Sequence, residues 1–200
     1  MAEGGRLLKR ICIFCGSQAG RDPQYAAAAR AVGTLLAQRD IAVVFGGGRV
    51  GMMGTVAEAA LRAGGEVIGV IPEGLMRREL AHEELTQLIV TRTMHERKQR
   101  MADLSDGFMA LPGGFGTFEE FCEIVTWAQL GVHRKPCALL NVAGYYDRLL
   151  AMFEHALAEG FLQPAHHALV LADAAPAGLL AKMQAWVPPP LKRWLAPDAA

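Results

Sequence analysis

The feature that most constrains this chain is a strict alternation between short apolar runs and helical stretches. Residues 9–14, 41–45, 66–71, 88–91, 107–111 and 137–141 are rich in Ile, Val, Leu and Phe and too short for buried helices. Between them, residues 23–38, 52–63, 94–105, 117–130 and 146–159 carry helical spacing. Pro23 stands at a tolerated first-turn position and Gly64-Gly65 ends the second helix. Strands without a polar face, each separated from the next by a helix, must be covered on both sides. That is the signature of a parallel sheet. The expected class is α/β: a single Rossmann-like, doubly wound domain whose parallel sheet is flanked by helices, with ligands at the carboxyl ends of the strands.

Two hundred residues suit one domain, and we assign residues 1–187 to it; Pro188-Pro189-Pro190 opens a proline-rich tail, 188–200, expected to leave the domain as extended chain. The chain is 52% hydrophobic and 20% charged, too apolar for disorder. Twenty basic and twenty acidic side chains cancel, so no global field attracts nucleic acid or an anionic membrane. No apolar run is long enough to span a bilayer, and residues 1–10 lack the apolar core of a signal peptide. All four cysteines lie in apolar surroundings. Cys12 and Cys15 have redox-motif spacing but begin inside a strand rather than at a helix start, so buried thiols and a cytoplasmic protein are expected. Six histidines show no ligand spacing, and no metal site is expected.

Three glycine-rich turns follow three strands: Cys15-Gly16-Ser17, Gly46-Gly47-Gly48 running on to Gly54, and Pro112 to Thr117. In a doubly wound sheet they converge on one edge, where Gly16, Ser17, Gly46, Gly47, Gly48 and Gly54 become candidate contacts for a nucleotide or sugar phosphate. No G-K-[ST] loop is present, G-x-G-x-x-G is matched only loosely by Gly46, Gly48 and Gly51, and no G-x-S-x-G elbow occurs.

The third turn is the most informative. Pro112-Gly113-Gly114-Phe115-Gly116-Thr117 joins a strand to a helix, so several backbone N–H groups and the positive end of the helix dipole share one space. Glu120 follows one turn later. It has two readings: the carboxylate of a capping box with Thr117 at the N-cap, or a charge placed beside an anion site for chemistry. In the preceding helix, Met94, Arg97, Met101 and Leu104 share one face, so Arg97 interrupts an apolar stripe. It either pairs or lines a cleft there, or snorkels to solvent from the stripe's edge.

Pro112-Gly113-Gly114-Phe115-Gly116-Thr117-Phe118-Glu119-Glu120 resembles the P-G-G-x-G-T-x-x-E signature of the Lonely Guy (LOG) family of cytokinin riboside 5′-monophosphate phosphoribohydrolases. Met94-His95-Glu96-Arg97-Lys98 resembles that family's M-H-x-R-K, and the likeness runs over roughly residues 10 to 162. The resemblance implies a homodimer, without metal or cofactor, that hydrolyses the N-glycosidic bond of a nucleoside 5′-monophosphate to a free base and ribose 5-phosphate. By the same likeness Arg97 and Glu120 would be the catalytic pair. Glu79, Arg97, Lys98, Gly113, Gly114, Phe115, Gly116, Thr117, Phe118, Glu119 and Thr126 would contact the nucleotide. Phe115 stands where the family commonly has tyrosine. The alternative is a carrier or sensor of the same fold that holds a nucleotide without cleaving it. Helix 117–130, apolar on nearly every side, is expected to be buried all round, within one copy or against a second.

Overall fold

The computed structural model describes residues 7–76, 82, 84–191 and 194. In chain order the elements are β1 (Arg10–Phe14), α1 (Pro23–Gln38), β2 (Ala42–Phe45), α2 (Gly51–Arg62), β3 (Val67–Pro72), α3 (Glu73–Met76), β4 (Gln87–Thr91), α4 (Met94–Leu104), β5 (Gly107–Ala110), α5 (Phe115–Gln129), β6 (Cys137–Leu140), α6 (Asp147–Ala158), α7 (Pro164–His167), β7 (Val170–Asp173) and α8 (Pro176–Ala185). The strands form a seven-stranded parallel sheet in the order β4-β3-β2-β1-β5-β6-β7. This is the expected doubly wound α/β class.

Alternation along each strand divides the core in two. Ile11, Ile13, Val43, Phe45, Val67 and Met109 pack under α1, α2 and α8. Cys12, Phe14, Val44, Ile68, Val70 and Phe108 face the other way, under α4, α5 and the start of α6. Both sets are almost wholly buried, each large side chain contributing roughly 1.5–3 kcal/mol of burial free energy. On the first face α1 and α2 meet closely because Gly33 lies against the backbone of Val56 and Ala60. On the second, Tyr146, Phe121 and Met101 are each 1% exposed.

The chain builds β1 to β4 outward on one side, then returns to place β5 on the other side of β1. The crevice at the carboxyl ends of β1 and β5 is therefore the topological switch point, where a ligand has room between diverging loops. Two backbone bonds close its floor: Leu111 N–H donates to the Phe14 carbonyl (2.9 Å) and Gly16 N–H to the Pro112 carbonyl (3.1 Å).

Some expectations change. β7 and α8 lie in a stretch with no sequence motif, and they complete the sheet edge and cover its first face. Cys12, Cys15 and Cys137 are buried but Cys122 is exposed, because α5 turns that position outward. Burial is the main cause that pushes the Cys12 and Cys15 thiols upward, so they stay protonated. Within one copy α5 is not covered all round: it buries Thr117, Phe121, Ile124 and Ala128, while Phe118, Val125 and Trp127 remain half-buried. Past the proline run, Trp194 N–H donates to the Leu130 carbonyl at the end of α5 (3.0 Å).

Candidate active site

Arg97 and Glu120 come from different helices and meet above the sheet. α4 starts at Thr93, whose hydroxyl accepts the Glu96 N–H (3.1 Å), while the Glu96 carboxylate accepts from the Arg92 N–H (3.0 Å). This capping pair fixes the first turn and aims Arg97 inward. Its Nε donates to the Val70 carbonyl of β3 (3.1 Å), and its Nη1 lies 3.3 Å from Glu120 Oε1. Arg97 is 8% exposed, so the snorkelling alternative fails. Gly46 is needed beneath it, since a Cβ there would overlap the guanidinium.

Glu120 is not a helix cap. α5 begins at Phe115 with Gly114 as its N-cap, three residues earlier than the Thr117 capping box requires. Thr117 lies inside the first turn, buried against Gly113, and a Cβ on Gly113 would collide with its side chain. The Glu120 carboxylate is thus free of helix duty. Burial raises its pKa from 4.5 to about 7; Arg97 opposes that rise, and Glu119 adds to it. A carboxyl group poised near neutrality can exchange a proton or present a charge at physiological pH.

Lys98, the next residue, makes the second link between α4 and α5. Its ammonium is shared by Glu119 and Glu123, the latter at 2.9 Å. Burial pulls the Lys98 pKa down, but the hydrogen bonds to Glu119 and Glu123 outweigh it and the net shift is upward. Such a lysine is a fixed cation, not an amine available to form a Schiff base.

At the switch point Gly16, Ser17, Tyr25, Gly113, Gly114 and Tyr145 are among the residues that line a cavity of about 290 Å³. Gly114 and Gly116 have open space where a side chain would stand, and Phe115 between them is 91% exposed. The first N–H groups of α5 meet no side-chain cap. Gly46, Gly47 and Gly48 are buried at the end of β2, with Gly46 against Arg97. Gly54 packs on the Arg49 carbonyl. Phe118 meets Tyr146 edge-on at 6.4 Å, and Glu119 is engaged by Lys98. Thr126 is exposed, donates to the Cys122 carbonyl, and stands about 9 Å farther along α5 than Glu120. Glu79 lies outside the described residues.

The sequence alone assigns no role to Tyr145, Tyr146, Glu123 or the Val70 carbonyl. Two adjacent phenols at a helix start are the visible signal for the first pair; a backbone acceptor leaves none.

Comparison with known proteins decides the family. A family model described as "Possible lysine decarboxylase" matches residues 53–183. The chain is 49% identical over 181 residues to the cytokinin riboside 5′-monophosphate phosphoribohydrolase LOG1 of Arabidopsis thaliana, covering 90% of this chain and 84% of that one. It is 50% identical over 164 residues to the cytokinin riboside 5′-monophosphate phosphoribohydrolase of Rhodococcoides fascians, covering 82% and 83%. The chain belongs to the LOG family.

Among solved structures, the molybdenum cofactor carrier protein of Chlamydomonas reinhardtii superposes with a TM-score of 0.66 at 24% identity, over 86% of this chain and 93% of that chain. At that identity the likeness concerns the fold. Within the LOG family the decarboxylase wording of the matching model finds no chemical support at Lys98, which two carboxylates hold as an ammonium.

Proposed function

We propose that this LOG-family protein hydrolyses the N-glycosidic bond of an adenosine 5′-monophosphate, N6-prenylated or plain, to the free base and ribose 5-phosphate. One observation carries the reading: a buried carboxylate, Glu120, paired to a buried guanidinium, Arg97, one turn from the open N-terminus of α5. Relatives at about half identity are named for this reaction.

Breaking a glycosidic bond to a purine develops positive charge on the ribose as the base departs. A carboxylate near C1′ stabilises that charge and orients or deprotonates the incoming water. Arg97 favours the ionised form of Glu120, against the burial that would protonate it. The N–H groups of Gly114, Phe115 and Gly116 hold the 5′-phosphate, so binding energy remote from the reacting bond fixes its position. Gly16 and Ser17 line the crevice from the end of β1, and Gly46 at the end of β2 backs Arg97. No step requires a metal or a redox cofactor.

A carrier of the same fold would use the glycine turns equally well. It gains nothing from burying a carboxylate beside its anion site, which repels the anion and costs desolvation. We also infer a cytoplasmic homodimer. The half-buried stripe of Phe118, Val125 and Trp127 on α5 is a face that a second copy would cover, and sedimentation of wild type against Trp127→Glu tests it.

The deciding experiment incubates the purified protein with AMP and with isopentenyladenosine 5′-monophosphate, beside Glu120→Gln, and follows free base by chromatography. Wild type should release base; Glu120→Gln should fold normally and be about 10²–10⁴-fold slower. A variant retaining most activity removes Glu120 from the mechanism. No release by wild type from either nucleotide, with nucleotide bound, leaves the carrier.

A further inference from the structure

Behind the open turn, two adjacent tyrosines donate into its carbonyls. The Tyr145 hydroxyl donates to the Gly113 carbonyl, and the Tyr146 hydroxyl donates to the Leu111 carbonyl at 2.6 Å. They reach back 32 and 35 residues from the start of α6. A trans peptide unit points its C=O and the next N–H in opposite directions. A phenol that captures the Gly113 carbonyl therefore dictates that the Gly114 N–H points the other way, into the open space in front of α5. Between two glycines a flip of that peptide costs little backbone strain, and it would aim a carbonyl at the anion.

We propose that Tyr145 is a positioning residue for phosphate binding: its hydroxyl holds the Gly113–Gly114 peptide in the orientation that presents N–H to the substrate's 5′-phosphate. This rests on reading the turn as the phosphate cradle. Tyr145 is itself held from both sides. Tyr25 meets its ring edge-on at 5.5 Å and 77°, and Tyr146 at 5.0 Å and 87°. Tyr146 is the anchor, 1% exposed, with its N–H on Asn141 Oδ1 at 2.7 Å. Asn141 also donates to Asp147 at 2.7 Å, tying the pair to the first turn of α6. To deliver them, the chain turns through left-handed conformations at Ala143 (φ 51°) and Gly144 (φ 69°), an arrangement costly for alanine and kept only where the surroundings demand it. Tyr145 remains half-buried and forms part of the wall of the 290 Å³ cavity.

The test is Tyr145→Phe, which keeps the ring and its two edge contacts and deletes the hydroxyl alone. We expect the Kd for ribose 5-phosphate, by calorimetry, and the KM for AMP to rise together by about 5- to 10-fold, the effect of one hydrogen bond. The kcat and the Kd for adenosine, which lacks the phosphate, should stay within about twofold of wild type, as should the folding transition within error. An unchanged Kd for ribose 5-phosphate overturns the proposal. So does equal weakening of ribose 5-phosphate and adenosine, or a loss confined to kcat. Because sugar-phosphate binding is read without turnover, a wild type that binds ribose 5-phosphate yet releases no base would sink the hydrolase reading and leave the tyrosine brace standing.

Discussion

Two glycine-rich turns open two helices at the same edge of the sheet, and they do so for opposite reasons. At the start of α2, Gly51 adopts φ 61° and lies against the Ser17 backbone, and a Cβ on Gly54 would overlap the Arg49 carbonyl. The Met52 N–H is spent on the Gly16 carbonyl (3.0 Å), so part of that helix end is satisfied by the protein. At the start of α5, Gly114 and Gly116 have nothing within 4 Å of where a side chain would be. The first turn is a closed joint, its glycines permitting backbone to touch backbone. Beyond Gly113, which packs on Thr117, the second is an open socket whose Gly114 and Gly116 keep side chains from standing between helix and ligand. A glycine-rich turn is thus two different devices, distinguished by what occupies the missing Cβ volume.

The largest effect that separates them is expected at the joint. Gly54→Ala forces the Arg49 backbone aside and should cost about 3 kcal/mol of stability, read as a fall of the calorimetric midpoint by about 6–12 °C. Gly114→Ala should leave that midpoint unchanged while raising KM for AMP about tenfold, because the new methyl competes with the phosphate for space. A stable, binding-defective Gly54→Ala, or an unstable Gly114→Ala, would erase the distinction. A third test sharpens what the open end carries. Glu120 titrates near 7 in the folded protein against 4.5 as its ordinary value. Activity that needs the carboxylate should rise about tenfold between pH 6 and 8 and then level off. Stability should move the other way. The folded state binds the extra proton between pH 4.5 and 7, so the contribution, on the order of 3 kcal/mol, is complete below that window and lost as pH rises through it. Denaturant titrations at pH 5 and 8 should show the fall in wild type and not in Glu120→Gln.

Much of the architecture is legible in the chain because strands such as Ala42–Phe45 and Cys137–Leu140 have no polar face, which only a doubly covered sheet accommodates. Val170–Asp173 escapes such reading: it is four residues long, half-buried and indistinct from a loop. Arg97 can be suspected from the stripe it interrupts, yet its partners cannot be named, since Val70 contributes a carbonyl that any residue would supply. Thr117 and Glu120 fit a capping box by spacing, and the structure shows why spacing misleads. Gly114 lets the helix start earlier, which turns Thr117 into a buried side chain, and the working Thr–Glu cap, Thr93 with Glu96, stands on α4. Tyr145 and Tyr146 acquire meaning only when tertiary structure sets them behind Gly113 and Leu111.

The central position of β1 also bears on the order in which the molecule assembles. Asp106 accepts from the backbone N–H groups of Lys9 and Arg10, 97 and 96 residues away, and the Gly16–Pro112 bond spans a similar length of chain. Arg97 and Glu120, neighbours in sequence by comparison, can approach within the local α4–β5–α5 segment. The crevice beside them cannot form until the first strand receives β5 at its free edge, and the brace at Tyr145 needs chain from beyond β6. Loop closure of that length is slow. The pair is thus joined by short-range contacts and the crevice by long-range ones, so ligand-binding competence depends on the slowest loop closures of the fold.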